Sequence, residues 1–163
     1  MMICLRTLAL CALATTAAAL GQQDTSRAVR IEALHKNVSS GKDIYIRLYF
    51  TNTSNLDLPA TGPRKRGVDI LYKYECETES GISVSKDDKG ALEGVGDMPT
   101  IKPGETHEEL IPINRACDVQ QAGDYKITVS RILPADSTHE EIAKSNTITI
   151  TVSPAHEPVA GKP

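Results

Sequence analysis

The chain reads as an all-β sandwich of about seven strands. Two observations carry that reading. Short runs alternate apolar and polar residues at period two, which puts one face of a strand into a core. Clusters of Asn, Ser, Gly and Pro separate those runs, and no long amphipathic helix pattern appears. The clearest stretch is Cys117–Arg131, CDVQQAGDYKITVSR. There a turn-rich loop opens into Tyr125, Ile127 and Val129, and a Tyr at the mouth of such a strand is the setting of a tyrosine corner.

Residues 1–21 read as a secretory signal rather than as part of the fold. Arg6 is followed by an apolar, Ala-rich run from Leu8 to Leu20 without an acid, and small residues stand at Ala19 and Gly21 before Gln22. The run is about a dozen residues, against roughly 20 needed to span a bilayer. Cys11 follows Leu10, which is too large for a bacterial lipoprotein cleavage site. Taking away 21 of 163 residues leaves 142, enough for one core. Their 17 basic and 21 acidic residues give a net charge of −4. No broad basic field for nucleic acid is present.

Residues 22–27 are expected to be a short flexible segment, 28–153 the domain, and 154–163 a disordered Pro-rich tail. Within the domain, Val29, Ile31 and Ala33 mark a first strand, and Asn37 to Lys42 a turn. Asp43 to Thr51 is the plainest strand: Ile44, Ile46, Leu48 and Phe50 share one face, Tyr45, Arg47, Tyr49 and Thr51 the other. A long loop from Asn52 to Gly67 precedes a strand from Val68 to Glu77. Ile82 and Val84 open a short strand, and Asp87 to Gly104 reads as irregular, ending in the Pro103-Gly104 turn signal. Glu105 to Asn114 is a weaker strand whose Pro112 belongs at an edge. After the strand from Asp124 to Leu133, Pro134 to Lys144 reads as a polar connection with room for a helical turn. Asn146 to Val152 closes the set, alternating Thr with Ile148, Ile150 and Val152.

Seven strands in this order fit an immunoglobulin-like, Greek-key sandwich. Cys4 and Cys11 leave with the signal, so Cys76 and Cys117 form an even pair in an exported chain, which reads as a disulfide; two buried thiols are the alternative. In such a sandwich the third and sixth strands are antiparallel neighbours, so Cys76 and Cys117 should meet at one pole. Ile127 stands where the antibody-type bridge would need a Cys, and there is no Trp.

The chain resembles a family of bacterial secreted, mostly uncharacterised immunoglobulin-like domains. The resemblance rests on Tyr49 to Ser54, Ile101 to Thr106, Gly123 to Arg131 and Ser145 to Ile148, and covers about residues 28–153. It implies a fold and a secreted or periplasmic compartment, and brings no catalytic residues with it. A similar sandwich serves small bacterial proteinase inhibitors, which makes inhibition through an exposed loop, Gly62–Gly67 or Gly94–Ile101, the alternative function.

No catalytic set, cofactor site or metal site is assigned. His107-Glu108-Glu109 and His139-Glu140-Glu141 imitate a zinc-protease motif, but Ile111 and Ala143 stand where the second His belongs. A copper site would need a His near Cys117, and none follows it. Asp87, Asp88, Glu93 and Asp97 form an acidic loop without EF-hand spacing, read as solvated. Asn37-Val38-Ser39 and Asn52-Thr53-Ser54 match the glycosylation acceptor pattern. Two groups remain as binding candidates. Arg64, Lys65 and Arg66 are the basic cluster of the long loop, with a solvated loop as the plainer reading. Tyr45, Arg47 and Tyr49 line the outward face of a strand, an interface pairing unless a loop or the tail covers them. The expected function is a secreted, non-enzymatic binding module whose partner is a protein or glycan of the cell envelope or beyond, with no nucleic acid and no membrane after signal cleavage.

Overall fold

The computed structural model describes residues 28–65, 68–86, 92–93, 98–134 and 140–155. The signal, the segment 22–27, Arg66, the acidic residues 87, 88 and 97, His139 and the tail from residue 156 lie outside them. The described chain is all-β. Its strands are β1 (Val29–Ala33), β2 (Asn37–Ser39), β3 (Tyr45–Thr51), β4 (Leu58–Pro59), β5 (Arg64–Lys65), β6 (Val68–Asp69) and β7 (Tyr72–Thr78). They continue with β8 (Leu92–Glu93), β9 (Thr100–Ile101), β10 (Thr106–Pro112), β11 (Gly123–Pro134), β12 (Glu140–Lys144) and β13 (Ile148–Ser153). Among the described residues one 3₁₀ turn, Ile113–Arg115, follows β10.

A first sheet has the order β1-β3-β10, all antiparallel. The second is built on β11. One edge of β11 carries β7, and the other carries β12 along its far half and β13 along its near half, with β2 parallel to β13 beyond. The N-terminal stretch thus starts in the first sheet as β1 and crosses to the second as β2. Two small sheets, β4-β9 and β6-β5-β8, complete the described set. The inward residues of both large sheets form one contiguous core. Ile44, Ile46, Leu48 and Phe50 meet Ile127, Val129 and Ile150 there, each 1 % exposed or less.

The alternation of β3 runs as its sequence dictates, with Tyr45, Arg47, Tyr49 and Thr51 half-buried on the outer side. At Lys102–Glu105 the amide of Glu105 donates to the carbonyl of Lys102 (3.0 Å), and Gly104 has φ +81°. Pro at the second position and a positive-φ Gly at the third are what a type II turn requires. The tyrosine of the β11 entry is buried, and its hydroxyl donates to the carbonyl of Gln121, four residues upstream, at 2.8 Å. That is tyrosine-corner geometry.

Several expectations need correction. The strands number more than seven because two-residue ladders such as β4, β5 and β8 are too short to display a period. Asn37–Ser39 is a strand rather than a turn, because β13 offers it an edge. The Pro134–Lys144 connection contains no described helical turn; Glu140–Lys144 pairs as β12 with β11, whose ladder supplies the register. Val68–Glu77 is broken at Ile70-Leu71, where Asp69 folds back: its Oδ2 and Oδ1 accept the amides of Gly62 and Leu71, both at 2.8 Å. Ile82 to Val84 makes only isolated bridges. Asn52, one of the glycosylation patterns, is fully buried, its Nδ2 donating to the carbonyls of Leu56 (2.7 Å) and Ile101 (2.8 Å).

The break between β12 and β13 ties the sheets together. Ser145 serves β11: its amide donates to the carbonyl of Val129, and its Oγ accepts the Val129 amide. Asn146 turns the other way. Its Oδ1 accepts the amide of Ile31 and its Nδ2 donates to the carbonyl of the same residue, both at 3.0 Å. One carboxamide thus satisfies the free edge of β1 as a neighbouring strand would.

Candidate functional site

Cys76 and Cys117 form a disulfide, with their Cα atoms 6.1 Å apart. Cys76 lies within β7 opposite Ile127, and Cys117 pairs with Ser85 just beyond the 3₁₀ turn. The bridge therefore clamps β7 to the β10–β11 connection, near the Tyr125 corner. Among the described residues no helix is long and apolar enough to cross a membrane.

The predicted face of Tyr45, Arg47 and Tyr49 lies on the outer side of the first sheet. Pairing in the ladder decides its neighbours. Tyr49 stands between Arg30 of β1 and Glu108 of β10, Arg47 between Glu32 and Leu110, and Tyr45 opposite Pro112. The Arg30 guanidinium stacks on the Tyr49 ring at 4.0 Å and pairs with Glu32. The Tyr49 hydroxyl donates to Glu32 Oε2 (3.3 Å), and Arg47 Nε meets Glu108 Oε1 at 3.2 Å. The hydrogen bond with Tyr49, then the charge of Glu108, raises the Arg47 pKa. Each exposed pair is weak by itself. As a network they hold long side chains in a defined array beside two exposed leucines, Leu34 (42 %) and Leu110 (50 %). A depression of about 600 Å³ opens on this side, lined by Arg30, Glu32, Tyr49, Thr51 and Thr106 among others.

The basic cluster behaves differently. Arg64 and Lys65 are not a free loop; they form β5, the middle strand of its small sheet, laddered to β6 on one side and β8 on the other. Arg64 directs its Nη2 to Glu109 Oε1 at 2.7 Å. The pair ties the guanidinium to β10 while the Arg64 side chain stays 46 % exposed. Of the second inhibitor candidate, Thr100–Ile101 is β9, paired with β4, and residues 94–97 lie outside the described ones.

A second grouping was missed in the sequence. Glu109 and His107 point inward from β10, Tyr72 and Tyr74 from β7, and Arg131 from β11. Arg131 is 2 % exposed. Its guanidinium lies 3.8 Å from the centre of the Phe50 ring and 5.0 Å from that of Tyr72, and it donates to the Tyr72 hydroxyl (2.6 Å) and to the carbonyls of Ala60 and Pro59. Burial pushes the Tyr72 hydroxyl up to about 12 and Tyr74 well above its ordinary value, the latter aided by the Glu109 charge. Burial also raises Glu109, against the pull of Arg64. Four buried atoms here, Tyr74 Oη, His107 Nε2, Glu109 Oε2 and Arg131 Nε, have no hydrogen-bond partner among the described residues.

No protein-family model and no curated protein matches the chain.

Among the described residues no group of three or more His, Cys, Asp or Glu side chains is placed to hold a metal ion. The inward polar cluster was legible in part. Arg131 falls two residues after Val129 and Glu109 two before Ile111, so period two turns both into the core. Their charge argues for the opposite face, and only the neighbours they meet reverse that argument.

Proposed function

We propose that the protein is an immunoglobulin-like, non-enzymatic binding module that acts outside the cytoplasm and engages a protein partner through the outer face of its first sheet. The observation that carries this reading is the array of Tyr45, Arg47 and Tyr49 with Arg30, Glu32 and Glu108 beside exposed Leu110. Aromatic and arginine side chains around apolar residues are the composition of interface anchors. A preordered array loses little side-chain entropy on binding.

The immunoglobulin-like assignment is supported by strand order. On this reading β1, β3 and β10 are strands A, B and E, and β7, β11 and β13 are C, F and G; β2 continues strand A onto the edge of G. Export is supported by the apolar run Leu8–Leu20 and by the disulfide, which fits an oxidising compartment.

A photo-crosslinking residue in place of Leu110, in cells that make the protein, should yield a discrete adduct with one protein. The adduct should disappear with Tyr49→Ala or Arg47→Ala and be absent when the crosslinker replaces Thr149, exposed on the second sheet. The same adducts from both positions, or none at Leu110, would overturn the assignment.

A further inference from the structure

Among the described residues the second sheet ends on β7, and no strand covers part of that edge. Cys76 turns its backbone away from β11: its amide donates to Ser85 Oγ (2.9 Å), and its carbonyl accepts the amide of Val84 (2.8 Å). A strand repeats this orientation every second residue, so the backbone groups of Tyr74 and Tyr72 face the same edge. The segment that covers Cys76 does not continue along them. It leaves to pair with the region of the disulfide partner, Lys86 donating its amide to the carbonyl of Ala116 and Asp118 donating to Val84, both at 2.8 Å. Among the described residues no strand follows β7 past Cys76 on this side.

A groove of about 450 Å³ lies along the open edge. Among the described residues its wall carries the cations Lys73, Lys86 and Arg115, the Lys86 ammonium donating to the carbonyl of Asn114 at 2.5 Å. Its one acid among the described residues is Asp69, which is 3 % exposed and has both oxygens occupied by the amides of Gly62 and Leu71. The neighbouring acid Glu75 answers Lys73 at 3.3 Å but is shared with Lys144 at 2.7 Å. Arg115 makes no ion pair among the described residues. Ile132, half-exposed, and Leu71 supply apolar wall between the charges.

We infer that this groove binds an extended acidic peptide segment of a partner, which adds to the second sheet as a strand beside Tyr72–Tyr74. Main-chain hydrogen bonds to the open edge would supply affinity, and the cations would select acidic side chains at alternate positions. The surface is separate from the outer face of the first sheet, so the two readings stand or fall independently.

The test uses the full chain and a fluorescent peptide of about eight residues alternating Glu and Val, matched to the strand period. Anisotropy should report binding that is at least about tenfold weaker for the Lys-Val counterpart and for an Glu-Val peptide with N-methylated backbone. Hydrogen exchange at the Tyr74 amide should slow when the peptide binds. Arg115→Glu should weaken binding about tenfold with an unchanged melting temperature; if that variant does not fold, the Tyr74 amide of the unaltered protein decides. No binding, equal binding of the N-methylated peptide, or an unchanged Tyr74 amide would each overturn the proposal. So would equal affinity for a sulfated polysaccharide of matching charge, which makes the groove a general polyanion site.

Discussion

At the residue scale, the informative side chains are those whose charge opposes their register. Arg131 occupies a core position and resolves the conflict by stacking between Phe50 and Tyr72 and donating to carbonyls that no strand partner serves. Glu109 resolves it only in part, with one oxygen on Arg64 and the other buried without a partner. A carboxyl raised by burial holds its proton more tightly folded than unfolded. Its contribution to stability is therefore full below the ordinary glutamate value, about 4.3, and is lost as pH rises through its folded value. Thermal melts of the protein and of Glu109→Gln across a pH series should reveal this: the unaltered protein should lose stability relative to the variant as pH rises above about 4.3. Parallel curves would mean that Arg64 offsets the burial of Glu109 fully.

At the scale of elements, the joint between the sheets is made by side chains that imitate backbone. Asn146 presents both a donor and an acceptor to Ile31, at the edge of β1 that β3 does not cover. Replacing it by Ala leaves two strand groups without that partner while removing no apolar packing. Asn146→Ala should lower the unfolding free energy by about 1–2 kcal/mol, read as a shift in denaturant midpoint at constant slope. Asn146→Asp, which turns a carboxylate oxygen toward the Ile31 carbonyl in place of the donor, should cost at least as much. These joints explain why the strands were easier to read than their partners. Period two in β1, β3, β11 and β13 reports burial, which is local to each strand. The pairing of β2 with β13, and the strand in Glu140–Lys144, depend on which edge happens to be open nearby.

At the scale of the whole molecule, one covalent clamp closes the end where β7, the Ser85 bridge and the start of β11 gather. The loop it closes has a sequence separation of 41 residues, so removing it should cost about 4 kcal/mol by the chain-entropy relation. Cys76→Ser with Cys117→Ser should show that loss in equilibrium denaturation, and reducing agent should abolish the difference between the two proteins. The clamp, the Tyr125 corner and the ladder of Cys76 with Val84 and Ser85 stiffen one side of β7, next to the stretch that the groove leaves open.

The all-β class, the two faces of β3, the tyrosine at the entry of β11 and the pairing of Cys76 with Cys117 are all legible along the chain. All four rest on short-range signals: alternation, turn residues and an even cysteine count. Contacts between distant segments set the rest: Arg64 pairs with Glu109, Arg131 sits in the core, and Arg30 and Glu108 flank Tyr49. They also set which part of the β7 edge no described strand covers. These follow from long-range register and from which polar groups are left without water, and neither quantity is written in any one segment of the chain.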